Sequence, residues 1–205
     1  MVKVFESIAD GIAEQGYSII DNFLSLAEVQ DILALPAYQD EELSTFKQAG
    51  IGKNNDKVIV EVIRGDYIKW IDKNTAPPPV AKYLEKLDAL ISFINQSLFL
   101  SLKDYEVHLT QYPIGTYYKR HLDQFKKDDH RKLSVILYLN EHWLPEHGGS
   151  LRMYLQHETL DALPIAGRLV CFRSDVIEHE VLPATRERRS ITGWLLDQPI
   201  DIPFI

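Results

Sequence analysis

The chain has 205 residues and a formal charge of −8, with 45% apolar and 25% charged residues. That balance fits a folded globular protein and excludes the positive field that a nucleic-acid coat or a membrane-surface protein needs. A single cysteine excludes an intrachain disulfide and fits a reducing compartment; with neither a membrane-length apolar run nor a signal-peptide pattern at the start, the expected location is cytoplasmic.

In chain order, Val4, Phe5, Ile8 and Ile12 recur at helical spacing, and Tyr17 to Ile20 reads as a short strand. Ser25-Leu26-Ala27-Glu28 is a capping box, opening a helix with Leu26, Val29, Ile32 and Leu33 on one side. Residues 39–57 are polar, with Gly50, Gly52 and Asn54-Asn55, and predict an exposed loop. Strands are expected at Val58 to Ile63 and Tyr67 to Ile71, around the Arg64-Gly65-Asp66 turn. Pro77-Pro78-Pro79 suits a first helical turn. Val80, Tyr83, Leu84, Leu87, Leu90, Ile91, Ile94 and Leu98 then form the best helical stripe in the chain.

From about residue 105 the period becomes two, predicting strands at 105–112, 116–120, 133–139, 149–155, 168–172, 178–182 and 189–196. Many short strands broken by Gly and Pro turns imply a β-sandwich or jelly roll. The expected architecture is one domain over 1–205, mainly β with supporting helices (α+β). Residues 1–100 form a helical support with strands, and 101–205 form the β core.

His121-Leu122-Asp123 is a histidine with a carboxylate two positions later, which on a strand puts both side chains on one face. By chance alone about one such pair is expected from 7 His and 30 acidic residues. Further evidence comes from His179, 58 residues on, beside an apolar run. Two histidines and one carboxylate leave three positions open on an octahedral ion, as non-haem Fe(II) oxygenases require, although a zinc hydrolase uses similar ligands. Arg188 opens a strand on which Arg188, Ser190, Thr192 and Trp194 share one face, while Arg189, Ile191, Gly193 and Leu195 share the other. The first set could hold a dicarboxylate through its guanidinium; the bland alternative is a solvated cationic edge.

The run Tyr112-Pro113-Ile114-Gly115-Thr116-Tyr117-Tyr118-Lys119-Arg120-His121-Leu122-Asp123 resembles the iron-binding segment of 2-oxoglutarate- and Fe(II)-dependent prolyl hydroxylases. So do Tyr138-Leu139-Asn140, Gly148-Gly149-Ser150-Leu151-Arg152, and His179-Glu180-Val181 followed by Arg188. Including Ile63 to Ile71, the likeness is greatest to the hypoxia-sensing, egg-laying-defective-nine type and its bacterial branch. The resemblance implies a double-stranded β-helix (jelly roll) with helices packed on one sheet. It implies Fe(II) bound by His121, Asp123 and His179. It also implies that Arg188 and Tyr138 bind 2-oxoglutarate, in a pocket lined by Tyr112, Leu151, Thr192 and Trp194. The implied reaction is O₂-dependent hydroxylation of a prolyl residue in a protein (in the bacterial branch, a translation elongation factor), releasing succinate and CO₂. Ascorbate is the implied reductant that keeps the iron ferrous. An Asp66–Arg131 pair is the hinge that the same comparison suggests.

Two other readings remain open at this point: a hydroxylase of free amino acids or metabolites with the same cofactors, and a non-enzymatic metal-binding jelly-roll module. Other reactive residues have plainer explanations. Cys171 sits in an apolar strand and reads as a core thiol. His142, His147 and His157 read as loop and strand-end residues, and His108 as a structural histidine near the pocket. The Lys126-Lys127 and Arg131-Lys132 cluster, interrupted by acids, reads as a solvated turn.

Overall fold

A computed structural model describes residues 1–39, 45–49, 63–124 and 129–199. Most of the expected strand at Val58 to Ile63, much of the 39–57 loop and the Lys126-Lys127 pair lie outside these residues. The described helices are α1 (Val2–Gln15), α2 (Leu26–Leu33) and α3 (Pro78–Leu98). The strands in the first half are β1 (Tyr17–Ile20), β2 (Lys47–Gln48) and β3 (Tyr67–Trp70). The second half adds β4 (Asp104–Tyr112), β5 (Tyr118–His121), β6 (Arg131–Tyr138), β7 (Leu151–Tyr154) and β8 (Thr159–Ala162). It ends with β9 (Leu169–Arg173), β10 (Glu178–Val181) and β11 (Arg188–Leu196).

The strands form two antiparallel sheets packed as a jelly roll. The larger has the order β1-β9-β6-β11-β4-β3-β2, and the smaller β5-β10-β7-β8. One face of the large sheet carries the helices. Phe5, Ile8 and Ile12 of α1, Val29 and Ile32 of α2, and the α3 stripe from Val80 to Ile94 pack there on Leu109, Val135, Leu137, Ile191 and Leu195. Each such fully buried side chain contributes roughly 2 kcal/mol, so α3 is the main prop of the sheet. The other face packs on the small sheet, where Ile136, Val170 and Phe172 meet Leu151, Met153 and Val181.

Local chemistry fixes the element ends. Gly16 closes α1 in the left-handed region at φ 84° and donates its N–H to Ile12 O. The Ser25 capping box forms as expected, with Glu28 N–H donating to Ser25 Oγ and Glu28 Oε2 accepting from Ser25 N–H. The expected helix face needs one correction: Leu26 is 50% exposed, because it lies in the first turn, off the side that Val29 and Ile32 bury. A second correction is β8, for which no strand was expected. It is a four-residue edge strand with Leu160 and Ala162 turned to the core and Thr159 and Asp161 exposed. Among the described residues, no helix is long and apolar enough to cross a membrane.

Candidate active site

The candidate metal-binding group forms where the small sheet meets the large one. His121 ends β5 and His179 lies within β10, and the two are register partners across an antiparallel pair. Asp123 lies beyond the strand rather than on it, so strand alternation is not what brings it to the histidines. Its Oδ2 is instead held by Ser134 Oγ of β6 at 2.6 Å, and that hydroxyl lies 2.8 Å from Ser174 Oγ. The ligand atoms of His121, Asp123 and His179 all lie within 4.8 Å of one another, so the three could hold a metal ion.

The second contacts of the imidazoles set their chemistry. His121 Nδ1 faces Lys119 O at 2.7 Å and His179 Nδ1 faces Ile177 O at 3.2 Å. A carbonyl oxygen only accepts, so each Nδ1 carries the proton and each Nε2 keeps a lone pair. Those Nε2 atoms lie 3.4 and 3.6 Å from the Asp123 oxygens. Three acceptors converging without a donor among them is a costly arrangement that a divalent cation relieves. Burial pushes His179 down to about 4, which keeps it neutral and able to ligate at neutral pH. Burial opposes ionisation of Asp123, while the hydroxyl of Ser134, donating to its Oδ2, favours the charged form.

Aromatic rings clamp both histidines. His121 stacks on Tyr118 at 3.6 Å, and Phe172 meets His179 edge-on at 4.7 Å. Behind Tyr118 lies the Arg64 guanidinium, 4.3 Å from the ring centre and paired with buried Asp66 through two bonds of 2.7 and 2.6 Å. The expected Asp66–Arg131 pair is therefore corrected. Asp66 takes Arg64, which is two residues away in the same turn. Arg131 pairs with Glu106 at 2.6 Å and lies over Trp194 at 3.5 Å.

Arg188 is 2% exposed and opens β11 opposite Tyr112. Its Nε donates to Gly149 O at 3.1 Å, and its Cζ lies 5.0 and 4.9 Å from the Tyr112 and Tyr138 ring centres. Arg188 Nη2 and Tyr138 Oη are buried with no hydrogen-bond partner. Two orphaned donors side by side fit a carboxylate supplied from outside the chain. Leu151 is fully buried in the same inter-sheet core as Tyr112 and Tyr138. Thr192 lies farther along the β11 face, its Oγ1 3.1 Å from Ser190 Oγ, and Trp194 follows with its buried Nε1 unpartnered. Arg189 is on the other face, bonded to Glu187 at 2.6 Å and over the Tyr38 ring.

Of the residues with plainer readings, Cys171 is fully buried, and burial pushes its thiol up to about 12. His108 is buried, bonded to Thr192 O at 2.7 Å and stacked on Trp70 at 4.8 Å. His147 accepts from Leu144 N–H at 2.9 Å, and among the described residues His142, His147 and His157 join no metal-binding group. Sequence reasoning missed Ser134. The available signal was a single serine inside the otherwise apolar and aromatic run Leu133 to Leu139.

Residues 107–196 match the profile of the 2OG-Fe(II) oxygenase superfamily. A Pseudomonas putida prolyl-4-hydroxylase structure is 41% identical over 95% of this chain and 100% of that one, with a TM-score of 0.85. A Trichoplax adhaerens prolyl hydroxylase, solved in complex with a hypoxia-inducible-factor oxygen degradation domain peptide fragment, is 30% identical over 95% and 90% of the two chains, with a TM-score of 0.79. Human Egl nine homolog 1 is 31% identical over 94% of this chain and 46% of its own length. The chain spans between 28% and 58% of the length of four curated relatives, the Egl nine homologs 1 of human, mouse and rat and a Caenorhabditis elegans hypoxia-inducible factor prolyl hydroxylase. It belongs to the 2-oxoglutarate- and Fe(II)-dependent oxygenases. Within them it is of the prolyl-4-hydroxylase type, similar to the Egl nine proteins.

Proposed function

We propose that this enzyme hydroxylates a prolyl residue in a protein, using Fe(II), O₂ and 2-oxoglutarate and releasing succinate and CO₂. The observation that carries this reading is the pair of orphaned donors, Arg188 Nη2 and Tyr138 Oη, in the same inter-sheet space as the two-histidine, one-carboxylate group. In it, His121, Asp123 and His179 hold the iron, which leaves three sites for the chelating keto acid and O₂. Arg188 and Tyr138 bind the distal carboxylate, with Tyr112, Leu151, Thr192 and Trp194 lining the same cleft. When bound, iron and the keto acid together supply the oxidising power for the C–H bond. The chain's own contribution is orientation and dryness. Ser134 fixes one Asp123 oxygen, the Nδ1 bonds fix both imidazole rings, and Ile136, Val170 and Phe172 keep water from the inter-sheet space.

A protein target is supported by the peptide bound to the Trichoplax adhaerens relative. The resemblance to the bacterial branch singles out a translation elongation factor as the target, and the resemblance to the family as a whole singles out ascorbate as the reductant. The test incubates the chain with Fe(II), 2-oxoglutarate, ascorbate and proline-containing peptides from candidate proteins. The expected product carries one added oxygen on proline by mass spectrometry. Turnover confined to free amino acids or metabolites would reject a protein target.

A further inference from the structure

We propose that Trp143 is a positioning residue for the co-substrate: through the Gly148-Gly149 turn it sets the orientation of the Arg188 guanidinium. This rests on the reading of Arg188 as the carboxylate anchor. Arg188 otherwise meets the ring faces of Tyr112 and Tyr138, which hold a cation in place without dictating how its plane is turned. The bond from Nε to Gly149 O at 3.1 Å does dictate it, and leaves Nη2 as the donor still to be satisfied. The direction of the Gly149 carbonyl is therefore the direction of the anchor.

That carbonyl belongs to the second of two glycines, with φ of 68° at Gly148 and 71° at Gly149, a stretch of backbone with great intrinsic freedom. The facing backbone segment ties it at two points, the bonds of the Gly148/Ala184 bridge: Gly149 N–H donates to Pro183 O and Thr185 N–H to His147 O, both at 2.9 Å. Trp143 supplies the third, with Nε1–H donating to Gly148 O at 3.0 Å. Its ring also forms a floor under the turn. A Cβ built on Gly149 would lie 3.1 Å from Trp143 Cζ2, 2.9 Å from Ala184 Cβ and 3.5 Å from Arg188 Cδ. The indole, Ala184 and the Arg188 stem thus all pack against Gly149. Trp143 is itself 5% exposed and held by Arg186, whose Cζ lies 5.3 Å from its ring centre while Nη1 donates to His142 O.

A tryptophan that merely fills space would affect every ligand alike, whereas one that aims Arg188 affects only ligands with a distal carboxylate. The test is calorimetric binding of 2-oxoglutarate and of 2-oxovalerate, its five-carbon analogue without that carboxylate, to the Mn(II)-loaded chain. Trp143→Phe removes the N–H and one ring. It is expected to weaken 2-oxoglutarate about tenfold, the scale of one hydrogen bond to a buried group. It should leave 2-oxovalerate and Mn(II) affinity within twofold. Equal losses for both keto acids, or no loss for either, overturn the proposal. If Trp143→Phe folds poorly, benzothienylalanine at position 143 keeps the ring's shape and deletes the N–H alone, and the same selective loss is expected. A parent chain that binds both keto acids equally well instead removes the anchor reading itself, a result distinct from failure of the variant.

Discussion

At the scale of single residues, the two neighbouring arginines at the start of β11 make the sharpest contrast. Arg188 is buried with Nη2 unsatisfied, and Arg189 is paired with Glu187 on the helix side. Removing one partner of a buried charge pair costs roughly 3–5 kcal/mol, and each 1.4 kcal/mol is about tenfold. Arg188→Ala is therefore expected to weaken 2-oxoglutarate binding at least a hundredfold (about 3 kcal/mol) by calorimetry, and Arg189→Ala less than tenfold. A larger effect at Arg189 would mean the strand faces are reversed. His108 gives a pH signature. Burial, with help from Arg64 and Arg131, pushes it down to about 3. The unfolded chain then binds a proton that the folded one refuses, so the stability from His108 is complete above its unfolded value near 6.5 and is lost as pH falls toward 3. By pH 5 the loss is about 2 kcal/mol, or roughly 4–8 °C in melting temperature for a chain of this size. His108→Gln should flatten the pH 7-to-5 slope by that amount, and an unchanged slope would place the acid sensitivity elsewhere.

At the scale of elements, β11 is the strand on which site and scaffold meet, and Gly193 is its tightest point. A Cβ there would lie 2.2 Å from Glu106 O and 2.4 Å from Val107 Cγ1, so β4 leaves no room for a side chain. Gly193→Ala is expected to lower the unfolding free energy by about 3 kcal/mol in urea, at the upper end of overpacking costs. A change under about 0.5 kcal/mol would show that β4 retreats freely. The same strand shows what was legible in the sequence. Alternation alone separated Arg188, Ser190 and Trp194 from Ile191 and Leu195, because a strand buried on both faces still sorts polar from apolar by parity. Other features depend on long-range partners and were not readable locally. The Tyr17 to Ile20 pattern reveals a strand but not that β9, about 150 residues away, pairs with it. Asp123 converges on the histidines through Ser134 of a different strand. Thr159 to Ala162 alternates cleanly but over only four residues, too short a run to declare an edge strand. The Asp66 partner was misjudged because the nearer Arg64 takes the carboxylate first.

At the scale of the whole molecule, His121 and His179 belong to the small sheet and Arg188 to the large one. A ligand held by both groups binds only the folded chain, so it shifts the unfolding equilibrium by mass action. Mn(II) with 2-oxoglutarate at a hundred times the dissociation constant is expected to add about 2.7 kcal/mol, raising the melting temperature by roughly 5–10 °C. Stripping the metal with a chelator should reverse the rise, and a keto-acid effect that survives chelation would contradict a metal-borne site. The division of the site between two sheets also has an evolutionary consequence. In the proposed binding mode, the gap that the keto acid bridges between the two groups is set by interior filler such as Ile136, Met153 and Phe172. Selection can therefore retune the appetite for that metabolite by swapping one hydrocarbon side chain for another, leaving every reactive group untouched.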